Sequence, residues 1–146
     1  MVHALREARR VLVHDGALID TRPVTVPTVI EVSVRDRWVA AFELDGSPGL
    51  ADDEAVRRAI ESVVSSGDLV LEAQASFVSM LYWDSAAELY AQAKEIGFRR
   101  FVAPSDDDLA KVEELMREGG GEARIRLQDQ MIVERYRRTE RPRRAG

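Results

Sequence analysis

Few side chains in this sequence could carry out nucleophilic or metal chemistry. It has no cysteine, which excludes a disulfide, a thiolate zinc site and a cysteine nucleophile. His3 and His14 are the only histidines, and neither has zinc-ligand spacing to a second histidine. A Ser-His-Asp triad is possible by inventory, yet no G-x-S-x-G turn supports it. We therefore predict no catalytic residue and no metal site.

Two further polar groups are better explained by structure than by chemistry. Asp106–Asp108 follow Ser105 and suit the positive end of a helix dipole better than a metal site. Glu72, Gln74 and Ser76 are spaced two apart in a predicted strand, so they share one face. That face could line a polar pocket, but we favour a solvated side of an antiparallel sheet.

The first twenty residues carry a resemblance to a known enzyme family. Residues 2–20 read V-H-A-L-R-E-A-R-R-V-L-V-H-D-G-A-L-I-D, an amphipathic helix, a glycine turn and a short apolar strand. This segment resembles the late helix-to-strand unit of class I (Rossmann-like) S-adenosylmethionine-dependent methyltransferases. There, a helix reading A-L-x-E-x-x-R-V-L runs into P-G-G and a strand that ends in Asp. The resemblance identifies the chain as the C-terminal half of such an enzyme.

The cofactor-binding half of that family has no counterpart in the sequence. S-adenosylmethionine binding needs a glycine-rich turn between a strand and a helix, and the chain contains no G-x-G-x-x-G. Its glycine cluster, Gly119–Gly121, follows a predicted helix and is typical of a helix end. We expect no cofactor site in the isolated chain, with S-adenosylmethionine bound only if a missing half is supplied.

The same resemblance implies which residues would face a substrate. Residues 18–23 are similar to the strand end and loop that face the substrate in many of these methyltransferases, which places Asp20 and Arg22 toward a substrate. The alternative is that Asp20 simply ends a strand and Arg22 is a surface cation, which is the commoner situation for such residues.

The hydrophobic periods predict an α+β fold. Ile30, Val32 and Val34 alternate with polar residues and begin a hairpin over 28–45 that turns at Asp36-Arg37. A helix capped by Asp52 or Asp53 precedes a long strand from Leu69 to about Trp83. Two capped helices, ending at Gly97 and Gly119, and a strand over 123–136 follow. The order α-β-β-β-α-β-α-α-β predicts a single, mostly antiparallel sheet with helices packed on it, a partial methyltransferase-like Rossmann topology.

The amino-acid composition indicates a globular protein. The chain has 146 residues, 45% hydrophobic and 32% charged, which is typical of one globular domain. We expect that domain to span 1–136 and to be followed by a basic, flexible tail over 137–146. The net charge of −5 argues against nucleic acid as a partner. Because no apolar run is long enough for a membrane span, we expect no membrane association and a cytoplasmic location.

Several functions fit these observations. The first is a non-catalytic, methyltransferase-like module for binding or assembly. The second is part of a methyltransferase that is completed by a partner chain or by upstream sequence, the latter including the case in which Met1 is an internal methionine. The third is a small-molecule-binding α+β domain. The chain alone is not expected to be an enzyme, and its substrate or ligand is not readable.

A homodimer is the predicted assembly. Without the family's preceding strands, Ala17–Asp20 would keep an unpaired edge, which a second copy could cover around a two-fold axis. The aromatic residues Trp38, Phe42, Tyr82 and Trp83 are further interface candidates. The alternative is a monomer in which the hairpin over 28–45 shields that edge.

Overall fold

A computed structural model describes residues 2–96 and 100–139. Its helices are α1 (Val2–Val11), α2 (Ser47–Ser65), α3 (Ala86–Ile96) and α4 (Asp106–Gly119). Its strands are β1 (Ala17–Pro23), β2 (Thr28–Val34), β3 (Arg37–Leu44), β4 (Leu69–Trp83) and β5 (Ile125–Arg138). The strands form one antiparallel sheet, so the predicted α+β class and element order are confirmed.

The described residues form two compact units. The first comprises the described residues of 1–24, 52–77 and 131–146, and the second comprises those of 25–51 and 78–130. In the first unit, α1, α2 and β1 contribute to a core around Val63, Leu69 and Tyr136. In the second unit, α4 packs on β2 and β3 over a larger core that includes Ile30, Val112 and Ile125.

The predicted hairpin is confirmed, with its turn one residue earlier than expected. Ile30, Val32 and Val34 are buried, as their alternation predicts. Arg35 and Asp36 both have positive φ angles, 47° and 64°, so they form the two-residue turn of the primed type that joins twisted strands. Neither residue is the glycine or asparagine that usually marks this turn, which is why the sequence left its type open.

Helix α2 corrects one prediction. It begins at Ser47 and not near Asp52 or Asp53, and the Asp45 carboxylate accepts a hydrogen bond from the Ser47 backbone N–H at 2.9 Å. That hydrogen bond lowers the pKa of Asp45. Pro48 is compatible with this start, because proline fits the first turn of a helix, where its missing N–H is not needed.

The other helix ends follow the sequence where the structure describes them. Ser105 caps α4 in a reciprocal capping box with Asp108, and α4 ends at Gly120 with a φ of 79°. The Ser85 hydroxyl accepts a hydrogen bond from the Glu88 backbone N–H at 3.1 Å, as the capping motif before α3 predicts. The predicted stop at Gly97 lies outside the described residues. No described helix is long and apolar enough to cross a bilayer.

Strand β5 extends further than predicted. It continues through Arg137 and Arg138, so the first residues of the expected flexible tail pair in the sheet. Arg137 lies opposite Ala17 of β1, and the Arg138 backbone N–H donates to the Gly16 carbonyl at 3.1 Å. Residues 140–146 of the expected tail lie outside the described part of the chain.

Candidate functional site

Asp20 and Arg22 project from one face of β1 in the first unit. These are the two residues that the methyltransferase resemblance predicts to face a substrate. They are two positions apart in a regular strand, so their side chains lie side by side. The Arg22 guanidinium forms an ion pair with the Asp20 carboxylate, and both side chains are largely buried. The structure therefore brings these two residues together as partners of each other.

A second carboxylate completes this arrangement from β5. Glu134 lies directly opposite Asp20 in the β1–β5 ladder and is buried. Its Oε2 lies 2.9 Å from Nη1 of Arg22. One guanidinium thus stands between two carboxylates, an arrangement that offsets the cost of burying each charge.

Tyr136 extends the network by one hydrogen bond. Its hydroxyl donates to Glu134 Oε2 at 2.7 Å, and its ring packs in the core of the first unit. Burial raises the pKa of Tyr136, and the hydrogen bond to the Glu134 carboxylate and the charge of that carboxylate raise it further. Because the hydroxyl keeps its proton, Tyr136 acts as a hydrogen-bond donor and not as a base.

The sequence prediction missed Glu134 and Tyr136. The signal that could have found them is their spacing, since residues two apart in β5 share a face in the same way as Asp20 and Arg22 do in β1. Which strand pairs with β1, and in which register, was not readable from local periodicity.

A small pocket adjoins this network. Its lining includes Asp20 and Tyr136 together with the apolar side chains of Leu5, Leu18 and Ile60. The space is about that of one water molecule, well below the several hundred Å³ of typical ligand pockets. The network therefore stabilises the pairing of β1 with β5 and leaves no room for a substrate.

Within residues 2–96 and 100–139, no three His, Asp or Glu side chains are grouped closely enough to hold a metal ion. The acidic run at the start of α4 serves the helix cap. There, Asp108 Oδ2 accepts hydrogen bonds from the backbone N–H and the hydroxyl of Ser105, at 2.9 Å and 2.7 Å.

Strand β4 has the most unusual surface in the described part of the chain. Of its fifteen residues, only Leu69 and Trp83, at its two ends, are buried. Seven large apolar side chains between them are each 41% to 48% exposed: Val70, Leu71, Phe77, Val78, Met80, Leu81 and Tyr82. They include odd and even positions, so both faces of the strand present apolar surface to solvent.

The edge of β4 is as open as its faces. Among the described strands, β4 pairs only with β5, which leaves one row of backbone N–H and C=O groups without a strand beside it. Glu72 is the only charged residue of β4, and it is paired with Arg135, at 3.2 Å, and with Arg137. Lysine and proline, which commonly protect exposed edges from association, are absent from β4.

A cluster of aromatic and arginine side chains lies in the second unit. The Arg126 guanidinium stacks 4.1 Å above the Trp38 ring, and its Nε donates to Glu31 at 2.7 Å. That hydrogen bond lowers the pKa of Glu31. Tyr82 of β4 lies 6.1 Å from Trp38, centroid to centroid. Because its guanidinium is already bound to a carboxylate, Arg126 is a poor candidate for binding an anionic ligand.

The four aromatic residues predicted to lie in an interface differ in how buried their side chains are. Tyr82 is exposed, and Trp38 and Phe42 are partly buried. Trp83 is buried in the core of the second unit, where its indole N–H donates to Gln92, so its side chain is unsuited to an interface.

Comparison with known proteins adds no relative to these observations. No family model matches the chain, and no curated protein and no solved structure shows significant similarity to it.

Proposed function

We propose that this chain is a non-catalytic assembly module that forms a homodimer through β4. The observation that carries the proposal is the exposure of seven large apolar side chains on a strand with an open edge. Contiguous apolar surface beside unpaired backbone groups favours association. We place the assembly surface on β4 rather than on the edge of Ala17–Asp20 that the sequence suggested, because β4 exposes seven large apolar side chains and β1 exposes one, Ile19.

The buried ion-pair network supports a structural role over a catalytic one. Arg22 is held by Asp20 and Glu134, and the Tyr136 hydroxyl donates a hydrogen bond to Glu134. The adjoining pocket is too small for a substrate. We propose accordingly that the isolated chain binds no S-adenosylmethionine and transfers no methyl group.

We also propose, from the sequence alone, that the chain is cytoplasmic and methyltransferase-like. A cysteine-free chain gains nothing from an oxidising compartment, which is consistent with the cytoplasm. The methyltransferase-like character rests on residues 2–20, and a partner chain that supplies a cofactor-binding half would restore catalysis.

Sedimentation of the chain at tens of micromolar tests the assembly proposal. We expect a mass twice that of the 16.4 kDa chain. Phe77→Lys places a charge on the exposed surface of β4 and should shift the mass to one chain, because a lysine on an exposed strand opposes pairing with another chain.

Ile19→Lys is the matched control. Ile19 is also an exposed apolar residue on a strand, 57% accessible, but it lies on β1. We expect this variant to remain dimeric. A wild-type chain that sediments as a monomer would refute the assembly proposal. A dimer that Ile19→Lys dissociates and Phe77→Lys does not would show that the interface lies on β1 instead.

A further inference from the structure

We propose that the two copies pair their β4 strands antiparallel along the full length, with Ser76 of one copy opposite Ser76 of the other. The inference rests on the proposed homodimer and specifies its geometry. A strand that pairs with itself around a two-fold axis has one central position. For Leu69–Trp83 the central residue is Ser76, and this is the register that leaves no residue of the strand unpaired.

The backbone of β4 is suited to such an addition. Its free edge runs along a fifteen-residue strand that contains no proline, so every residue retains its backbone N–H. Antiparallel pairing would satisfy the outward-facing N–H and C=O groups of both copies at once. The two sheets would then join into one continuous sheet.

The side chains are compatible with this register. Leu71 comes to lie opposite Leu81, and Val70 opposite Tyr82, so large apolar side chains meet in cross-strand pairs. Because the dimer is two-fold symmetric, each of these cross-strand pairs occurs twice in the interface. Every one of these side chains is exposed in the single chain.

The one charge on β4 also fits. Glu72 would lie opposite Met80, so the two Glu72 carboxylates are far apart across the interface. Within its own chain, Glu72 is already neutralised by Arg135 and Arg137. A register that is centred on Glu72 would instead place the two carboxylates face to face, which is unfavourable.

The available area reaches what a specific dimer requires. Pairing two fifteen-residue strands edge to edge covers one backbone edge and the adjoining flanks of the side chains on each strand, on the order of 1,200 Å² in both copies together, which is the lower limit for stable interfaces.

Single-cysteine variants test the register, because the natural chain contains no cysteine. In Ser76→Cys the two thiols would lie directly opposite each other, within the range that a disulfide spans. Ser79→Cys is the matched control on the same strand. It would lie opposite Ala73, and the two Ser79 positions would be about 20 Å apart, too far for a disulfide.

Each full-length variant is oxidised with oxidised glutathione at equal concentration, and its cross-linked fraction is read on a non-reducing gel. We expect Ser76→Cys to cross-link at least about tenfold more than Ser79→Cys, because only its thiols meet the distance limit. A circular dichroism spectrum of each reduced variant shows whether the fold is retained.

The other outcomes separate the register from the assembly. If wild type is a dimer but Ser79→Cys cross-links as well as Ser76→Cys, or neither does, the register is wrong and the homodimer stands. If wild type is a monomer, β4 has a different occupant or none, and both proposals fail.

Discussion

Tyr136 donates a hydrogen bond to Glu134 at 2.7 Å, two residues away on the same face of β5. The tyrosine is the inner end of a network whose outer end is Asp20 of β1, and Arg22 lies between the two carboxylates. Two strands that are distant in sequence are therefore joined by charge as well as by their backbone ladder.

Tyr136→Phe should lower the free energy of unfolding near neutral pH by about 1–2 kcal/mol, because the buried Glu134 carboxylate loses a donor. Since folding raises the pKa of Tyr136, its contribution is fully present below the unfolded value of 10.0 and declines as the pH rises above it. Urea unfolding at about pH 8 and about pH 11 should therefore show a smaller difference between wild type and variant at the higher pH. A difference that grows with pH would contradict the direction of the pKa shift.

Arg22→Met should destabilise the chain by about 2–3 kcal/mol, because it leaves Asp20 and Glu134 facing each other without a cation. Arg10→Met is the control, since Arg10 forms an exposed ion pair with Glu7 and its loss should have little effect on stability. Urea unfolding of both variants gives the comparison. Equal losses would show that the buried network contributes no more than a surface pair.

Gly119→Ala should destabilise the chain by about 1–3 kcal/mol through overpacking. A Cβ at this position would lie 2.5 Å from the Ser33 carbonyl oxygen and 2.8 Å from Cβ of Ala123, and the backbone oxygen cannot move aside cheaply. Gly121→Ala is the control, because a Cβ there would meet no atom within 4 Å. Thermal melts of the two variants should differ, and a Gly119→Ala melt at the wild-type temperature would rule out the close approach.

Calorimetric titration of the chain with S-adenosylmethionine should give no heat of binding. The chain contains no glycine-rich turn that could place backbone donors around the cofactor. Micromolar or tighter binding would overturn the proposal that the chain lacks a cofactor site. S-adenosylhomocysteine, titrated in the same way, checks that the result does not depend on the methyl group.

Local signals in the sequence predicted most of the elements. Alternation found β2, and the Ser105 cap and the Gly119–Gly121 stop defined α4. The turn at Arg35 and Asp36 was harder to define because arginine is not typical of positive φ and the turn contains no glycine or asparagine. The start of α2 was missed because the residues before Asp52 include Pro48 and Gly49, and proline and glycine are typical of loops.

The site was less predictable than the elements, because it depends on which strands are neighbours. Asp20 and Arg22 were found, but Glu134, their partner, is distant in sequence and is placed by the β1–β5 register. The exposure of β4 has the same origin. Its composition is that of a buried strand, and only the packing of the helices decides whether anything covers it.

The position of β5 in the chain has a consequence for synthesis. Ala17 pairs with Arg137, and Ile30 pairs with Leu127, so the β1–β5 and β2–β5 ladders can form only after β5 has left the ribosome, whereas β2 can pair with β3 earlier. Pairings of such long range make folding slow, since the chain loses much entropy before it gains these contacts. During that delay the apolar residues of β4 are already translated, and we expect a nascent chain that depends on chaperones until β5 is in place.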